Sequence, residues 1–231
     1  MLPGREKKMS KSSISNSVIR RLPRYHRFLG DLEANGYTRI SSRELAEKMG
    51  LTASQIRQDF NCFGEFGQQG YGYNVKELRG EIGKILGLDK RAPMILLGAG
   101  NLGRALASHI DFVNRGFELI GIFDSNPDLF GIKIGELEIH DIAQLESFCE
   151  KHHPVAAILC IPKAGAEEEA DRLIRCGVRA FWNFTHFDLR ISHSDAAVEN
   201  VHLGDSLTTL SYQLNSIDGG ADSSEEEDTE E

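Results

Sequence analysis

The chain has 231 residues, with 35 Asp and Glu against 26 Lys and Arg and a net charge of −9, a length that gives room for two domains with separate cores. The charge is divided: residues 1–91 carry 17 basic and 10 acidic side chains, whereas residues 92–231 carry 9 and 25, so the first part is suited to a polyanion and the second is not. No run is apolar enough to span a membrane and the N-terminus has no secretory apolar core, which excludes membrane partners and predicts a cytoplasmic protein.

Residues 1–13 are polar and basic without periodicity and predict a flexible arm. Val18, Leu22, Tyr25, Leu29 and Leu32 then recur at helical spacing up to Gly36, with Pro23 expected to kink or restart the helix. Ser41-Ser-Arg-Glu44 is a capping box that opens a short helix ending at Gly50. Thr52-Ala-Ser-Gln55 is a second one, opening a helix with Ile56, Phe60 and Phe63 on one side. The tight Gly50-Leu51-Thr52 joint between these two helices makes a helix-turn-helix. Phe66-Gly-Gln-Gln-Gly-Tyr-Gly-Tyr73 fits a β-hairpin, the wing of a winged-helix domain, and Asn74-Val-Lys-Glu77 caps a further helix before a linker at Gly87–Pro93.

From Met94 the pattern changes to β-α-β. Strands are predicted at 94–97, 117–123, 155–161 and 179–184, and helices near 101–114, 142–151 and 164–176. A short extended piece at 138–140 and a last strand near 198–202 complete a doubly wound parallel sheet. Asp205-Ser-Leu-Thr208 opens a terminal helix with Leu207, Leu210 and Leu214 on one stripe. Residues 218–231 hold eight carboxylates and are expected to be disordered. The domains so drawn are 1–13, 14–89, 90–204, 205–217 and 218–231.

The most informative motif is Gly98-Ala-Gly-Asn-Leu-Gly103, between an apolar strand and a helix. In such a loop the first glycine permits the turn, the second lets backbone N–H groups approach a pyrophosphate, and the third lets helix and strand pack closely. The next apolar run ends in Asp124, 21 residues after Gly103, where a carboxylate accepts ribose hydroxyls and repels a 2′-phosphate. The ligand this predicts is NADH or NAD+.

On the helix after Thr52, the side opposite Ile56 and Phe60 presents Ser54, Arg57, Gln58 and Asn61, types that bond base edges and phosphates in a major groove. Arg20, Arg21, Arg24 and Arg27 are candidate phosphate contacts, with a solvated helix face as the alternative. His186, past the fifth strand, stands where a dehydrogenase would keep its proton donor. A structural loop histidine is the commoner role, and under 140 residues leave little room for a substrate domain, so no catalytic residue is assigned. Cys62, Cys149, Cys160 and Cys176 have neither disulfide-framework nor zinc spacing, and no metal site is expected.

Arg21-Leu-Pro-Arg-Tyr25, Ser41-Ser-Arg-Glu-Leu-Ala46, Gln55-Ile-Arg-Gln-Asp-Phe60, Phe63-Gly-Glu-Phe-Gly67, Gly70-Tyr-Gly-Tyr73, Gly98–Gly103, Phe123-Asp-Ser-Asn-Pro127 and Asn183-Phe184 together closely resemble the Rex family of redox-sensing transcriptional repressors, over residues 14–217. The resemblance implies a homodimer on a palindromic operator, released when NADH binds, with the helix at 205–217 swapped between subunits. Nucleotide contacts are then expected at Gly98, Ala99, Gly100, Asn101, Leu102, Gly103, Asp124, Ile161, Pro162, Asn183 and Phe184. DNA contacts are expected at Ser54, Gln55, Arg57, Gln58, Asn61, Gln68, Gln69 and Tyr71. Arg21, His109 and Asp205 are the expected switch residues, Arg21 pairing with Asp205 of the other subunit. Gln58 stands where a lysine is common and His109 where several relatives have a tyrosine. The competing readings are an NAD-dependent oxidoreductase and a CoA-binding module, each with an accessory basic domain.

Overall fold

A computed structural model describes residues 14–63 and 71–221. The predicted arm at 1–13, most of the predicted wing, including Gln68 and Gln69, and the end of the acidic tail lie outside the described residues. The chain falls into two compact units, residues 1–90 and 91–231.

The first unit is built on helix α1 (Asn16–Ala34), capped by Ser15. Strand β1 (Arg39–Ile40), helix α2 (Ser42–Met49) and helix α3 (Ala53–Asn61) follow, then strand β2 (Tyr73–Asn74) and helix α4 (Val75–Leu86). Pro23 does not restart α1, the second of the two outcomes expected there. The helix runs unbroken through it because Val18, Leu22, Tyr25, Leu29 and Leu32 bury one continuous face on both sides of the proline, whose ring is exposed. The core gathers Leu22, Tyr25, Leu29 and Leu32 with Leu45, Ile56, Phe60, Val75 and Ile82. The capping box at Ser41 is complete, with Glu44 N–H donating to the Ser41 hydroxyl at 3.1 Å and Ser41 N–H to the Glu44 carboxylate at 2.8 Å. That at Thr52 is half made: its hydroxyl accepts from Gln55 N–H at 3.2 Å, but the Gln55 side chain turns elsewhere. The described strand of the wing region, β2, pairs antiparallel with β1, Arg39 opposite Asn74.

The second unit is a seven-stranded sheet in the order β5-β6-β4-β3-β7-β8-β9. Its elements are β3 (Ala92–Leu97), α5 (Asn101–His109), β4 (Phe117–Asp124), β5 (Lys133–Ile134), β6 (Leu137–Asp141), α6 (Leu145–His152), β7 (Ala156–Leu159), α7 (Lys163–Arg175), β8 (Ala180–Asn183), α8 (Leu189–Ser192), β9 (Ala197–Asn200) and α9 (Leu203–Ala221). All strand pairs are parallel except β5 with β6. That hairpin is a departure from the expected all-parallel sheet. Met94–Leu97 and Ala156–Leu159 are buried residue after residue, as central parallel strands covered on both faces must be. On one face Ile95, Leu97 and Leu159 pack with Leu145, Ala170 and Leu173 of α6 and α7. On the other, Leu96, Ile122 and Ile158 meet Leu106 and Ala107 of α5.

Helices α5, α8 and α9 depart from the sequence reading. α5 stops at His109 rather than near 114, because the Asp111 carboxylate accepts the Asn114 backbone N–H at 3.1 Å and turns the chain into a 3₁₀ turn at Val113–Arg115. α8, capped by Asp188, was not foreseen. α9 opens at Leu203 and places Asp205 in its first turn rather than at its cap, and it runs through Ala221 into the segment expected to be disordered.

Candidate functional site

α3 displays Ser54, Arg57, Gln58 and Asn61 as exposed residues, opposite the buried Ile56 and Phe60. Arg57 donates one N–H to the Ser42 hydroxyl at 3.0 Å, so it leans on the start of α2. Tyr71 is exposed, and its carbonyl accepts from Arg39 at 3.2 Å. Of the basic residues of α1, Arg24 donates to the Met49 carbonyl that ends α2, at 2.6 Å.

One residue not singled out from sequence anchors this surface. Asp59 is fully buried, and its carboxylate accepts from Arg21 Nε and Nη2 at 2.6 and 2.7 Å, from the Tyr25 hydroxyl at 2.7 Å and from the Gln55 amide at 2.9 Å. Burial works against its charge, but the hydrogen bonds from Arg21, Tyr25 and Gln55 outweigh it and hold the carboxyl below the usual range. Burial, reinforced by the bond to Asp59, pushes the Tyr25 phenol up, so it stays a donor. Arg21, expected to face a partner subunit, is therefore engaged bidentately within its own unit. A signal was present in the sequence: an acid at i+4 from a glutamine, on the buried edge of an amphipathic helix in a basic segment.

In the second unit the chain leaves β3 for β4 and β6 on one side, then returns to β7, β8 and β9 on the other. The crevice at the C-terminal end of β3 is thus the topological switch point. Gly98 lies there with φ +97°, and a Cβ on it would come within 2.5 Å of the Cys160 carbonyl oxygen. A Cβ on Gly103 would sit 1.9 Å from the Gly98 carbonyl oxygen, which measures how closely α5 packs on its loop. A Cβ on Gly100 would meet nothing within 4 Å. Gly100 is also the N-cap of α5 and brings no side chain to cap it, so the first-turn N–H groups at Asn101, Leu102 and Gly103 are offered to an anion.

Asp124 closes this cradle. Its two oxygens accept Ala99 N–H at 2.6 Å and Asn126 N–H at 2.8 Å, and a carboxylate retains further lone pairs for ribose hydroxyls. Ile161, whose side chain is 3.1 Å from the would-be Cβ of Gly98, and Pro162, the N-cap of α7, flank the loop. The donor set, open Gly100 space and acidic rim fit a dinucleotide. Leu102 is exposed and Ala99 buried; Asn101 accepts from Arg104 at 3.2 Å.

Asn183 is held by its own neighbours at the end of β8. It is fully buried, its amide donating to the Phe187 carbonyl at 2.7 Å and to Asn200 at 2.8 Å while its oxygen accepts from Thr185. Its visible role is to fold the loop after β8. Phe184 packs edge-on against Trp182, and the exposed His186 stacks parallel to His202 at 6.0 Å. His109 is exposed at the end of α5, and Asp205 is exposed on α9. All four cysteines are free thiols; burial pushes Cys160 up to about 12. Among the described residues there is no cluster of His, Cys, Asp and Glu able to hold a metal, and no helix long and apolar enough to cross a membrane.

Residues 13–61 match the family model described as a putative DNA-binding protein N-terminus, and residues 89–187 match the CoA binding domain. The redox-sensing transcriptional repressor Rex of Thermoanaerobacter pseudethanolicus is 58% identical over 205 residues, covering 89% of this chain and 91% of the relative. That of Clostridium beijerinckii is 55% identical over 203 residues, covering 88% and 96%. The crystal structure of the Rex-family repressor RSP with NAD+ and operator DNA superposes with a TM-score of 0.84 at 54% identity, covering 94% of this chain and all of that one. RSP with NADH gives 0.83 at 52% identity, covering 92% and 99%. At this identity over nearly the full length, with both the helix-turn-helix and the glycine cradle inside the matched span, the chain belongs to the Rex family of redox-sensing transcriptional repressors.

Proposed function

We propose that this chain represses transcription by binding a palindromic operator as a homodimer, and that NADH bound at the Gly98–Gly103 cradle releases it. The carrying observation is a dinucleotide cradle with an acidic rim, on the same chain as a capped helix-turn-helix. RSP, the relative solved both with NAD+ and operator DNA and with NADH, supports this pairing of ligands. Nicotinamide is favoured over CoA by Asp124, and the relatives are regulators, so the cofactor acts as a signal rather than a reagent. Ser54, Gln55, Arg57, Gln58, Asn61 and Tyr71 are the described residues assigned to the operator. A second copy is supported by two uncovered apolar surfaces of the second unit: the exposed face of α9, and a hollow of about 410 Å³ lined by Met94, Ile110, Phe112, Phe117, Trp182 and Val198. The direct test is a gel shift on operator duplex with NAD+ and NADH in separate lanes. Loss of the shifted band with NADH alone is expected; a band indifferent to both nucleotides would refute the sensor reading.

Asp124→Ala is expected to weaken NADH binding roughly 5- to 150-fold, the equivalent of about 1–3 kcal/mol for a hydrogen bond to a charged group, and to narrow the preference for NADH over NADPH. Operator binding without ligand should persist. An NADH titration matching the parent would remove Asp124 from the site.

Arg57→Ala is expected to cost about 1–3 kcal/mol on the operator with little change on random duplex, as for a side chain that reads a base. Equal losses on both, with a salt slope lower by about one, would instead make Arg57 a phosphate contact.

A further inference from the structure

Helix α3 fixes one of its first-turn side chains from behind. Gln55 lies in the first turn of α3, where residues of a helix in the major groove reach base edges. It stands between the exposed face of Ser54 and Gln58 and the buried edge that holds Asp59. Its amide N–H donates to Asp59, and the same carboxylate is filled from behind by Arg21 and Tyr25, all three partners being donors. An ionised carboxylate only accepts. The amide of Gln55 therefore has one permitted orientation: a flip would set its carbonyl oxygen against the Asp59 oxygens and lose a charge-assisted bond.

We propose that Asp59 is a positioning residue for operator reading, fixing the Gln55 amide so that its carbonyl and remaining N–H form an outward edge that selects adenine. One amide proton is taken by Asp59. The other proton and the carbonyl are the pair that adenine takes, N6 donating to the carbonyl and N7 accepting the N–H. Guanine offers two acceptors at the same edge, O6 and N7, so the fixed carbonyl meets an acceptor and is repelled. Arg21 and Tyr25 complete the device by keeping Asp59 charged and in place, which ties the polarity of one base contact to the seating of α3 on α1. The inference rests on the reading of the chain as an operator-binding repressor.

The test is selection of bound duplexes from a randomised library by the full-length parent, Gln55→Ala and Asp59→Asn. Affinity for random duplex and the urea midpoint of each protein are measured alongside. The parent is expected to enrich a symmetric site. Gln55→Ala should relax one position in each half-site, an adenine in the parent. Asp59→Asn, whose amide presents donor or acceptor to Gln55, should relax that same position, lowering the adenine-to-guanine ratio there by about ten-fold, within what a bidentate base contact contributes. Other positions and random-duplex affinity should stay near the parent values, an outcome that a merely structural role for Asp59 would not give. An Asp59→Asn profile identical to the parent's would overturn the proposal. If Asp59→Asn does not fold, Gln55→Ala decides: relaxation at a guanine, or at no position, overturns it. A parent that enriches no sequence would remove the operator reading itself, and this proposal with it.

Discussion

Gly103→Ala is expected to abolish NADH binding and the NADH-dependent release of operator, although the substitution adds one methyl group. That methyl would sit 1.9 Å from the Gly98 carbonyl oxygen and 3.2 Å from the Leu96 side chain. The nearer neighbour is backbone, so the start of α5 must retreat from the loop. Overpacking of this kind costs about 1–3 kcal/mol in stability. The larger effect is on binding, because the retreat carries away the first-turn N–H groups meant for the pyrophosphate. Losing two such charge-assisted bonds amounts to about 100-fold or more in affinity. Gly100→Ala separates the two effects. Its Cβ meets no protein atom within 4 Å and its φ of −67° suits any residue, so the urea midpoint should match the parent's while NADH binding falls, the methyl occupying the space a phosphate needs. Urea unfolding and NADH fluorescence titration of both variants check this. Parent-like NADH affinity in Gly100→Ala would place the pyrophosphate elsewhere.

These glycines were legible because their rule is local: strand, turn, helix and an acid at a fixed distance. The helix caps at Ser41 and Asn74 were legible for the same reason, each bond spanning three residues. The Asp59 cluster was not, since the Arg21–Asp59 pair joins residues 38 apart and only packing of α1 against α3 brings them together. Its consequence appears at Thr52, where the Gln55 side chain leaves the capping box half made to serve Asp59. At Pro23 the sequence left a kink or a restart open, and only the restart is excluded by the structure. Propensity predicts a break at proline, but the continuous apolar face from Val18 to Leu32 gains more from an unbroken helix than one missing hydrogen bond costs. Asn183, expected at the ligand from resemblance, has a side-chain amide bonded to the loop after β8 and to Asn200 of β9, partners that sequence spacing did not reveal.

Removal of α9 is the second large effect expected. Leu203, Leu207, Leu210, Leu214 and Ile217 recur at spacings of four and three residues and form one stripe, with each side chain 56–71% exposed in the single chain. A helix face of this kind gains little stability alone, and covering five such side chains is worth about 7–15 kcal/mol at roughly 1.5–3 kcal/mol each. Two copies of the helix in a symmetric dimer double that gain, which exceeds a typical association cost of about 4–15 kcal/mol. Truncation after Gly204 is therefore expected to give a monomer by sedimentation velocity at micromolar concentration, with operator affinity sharply reduced because one half-site no longer helps to hold the other. Its residual DNA binding should no longer respond to NADH, Asp205 having gone with the helix. Truncation after Asp218 keeps the whole stripe and should cost neither dimer nor response, whereas a charged residue in its middle, Leu210→Glu, should act like the longer deletion by making the covered face costly to bury. A dimer ending at Gly204 that still leaves its operator on addition of NADH would show that α9 is not the element joining the two copies.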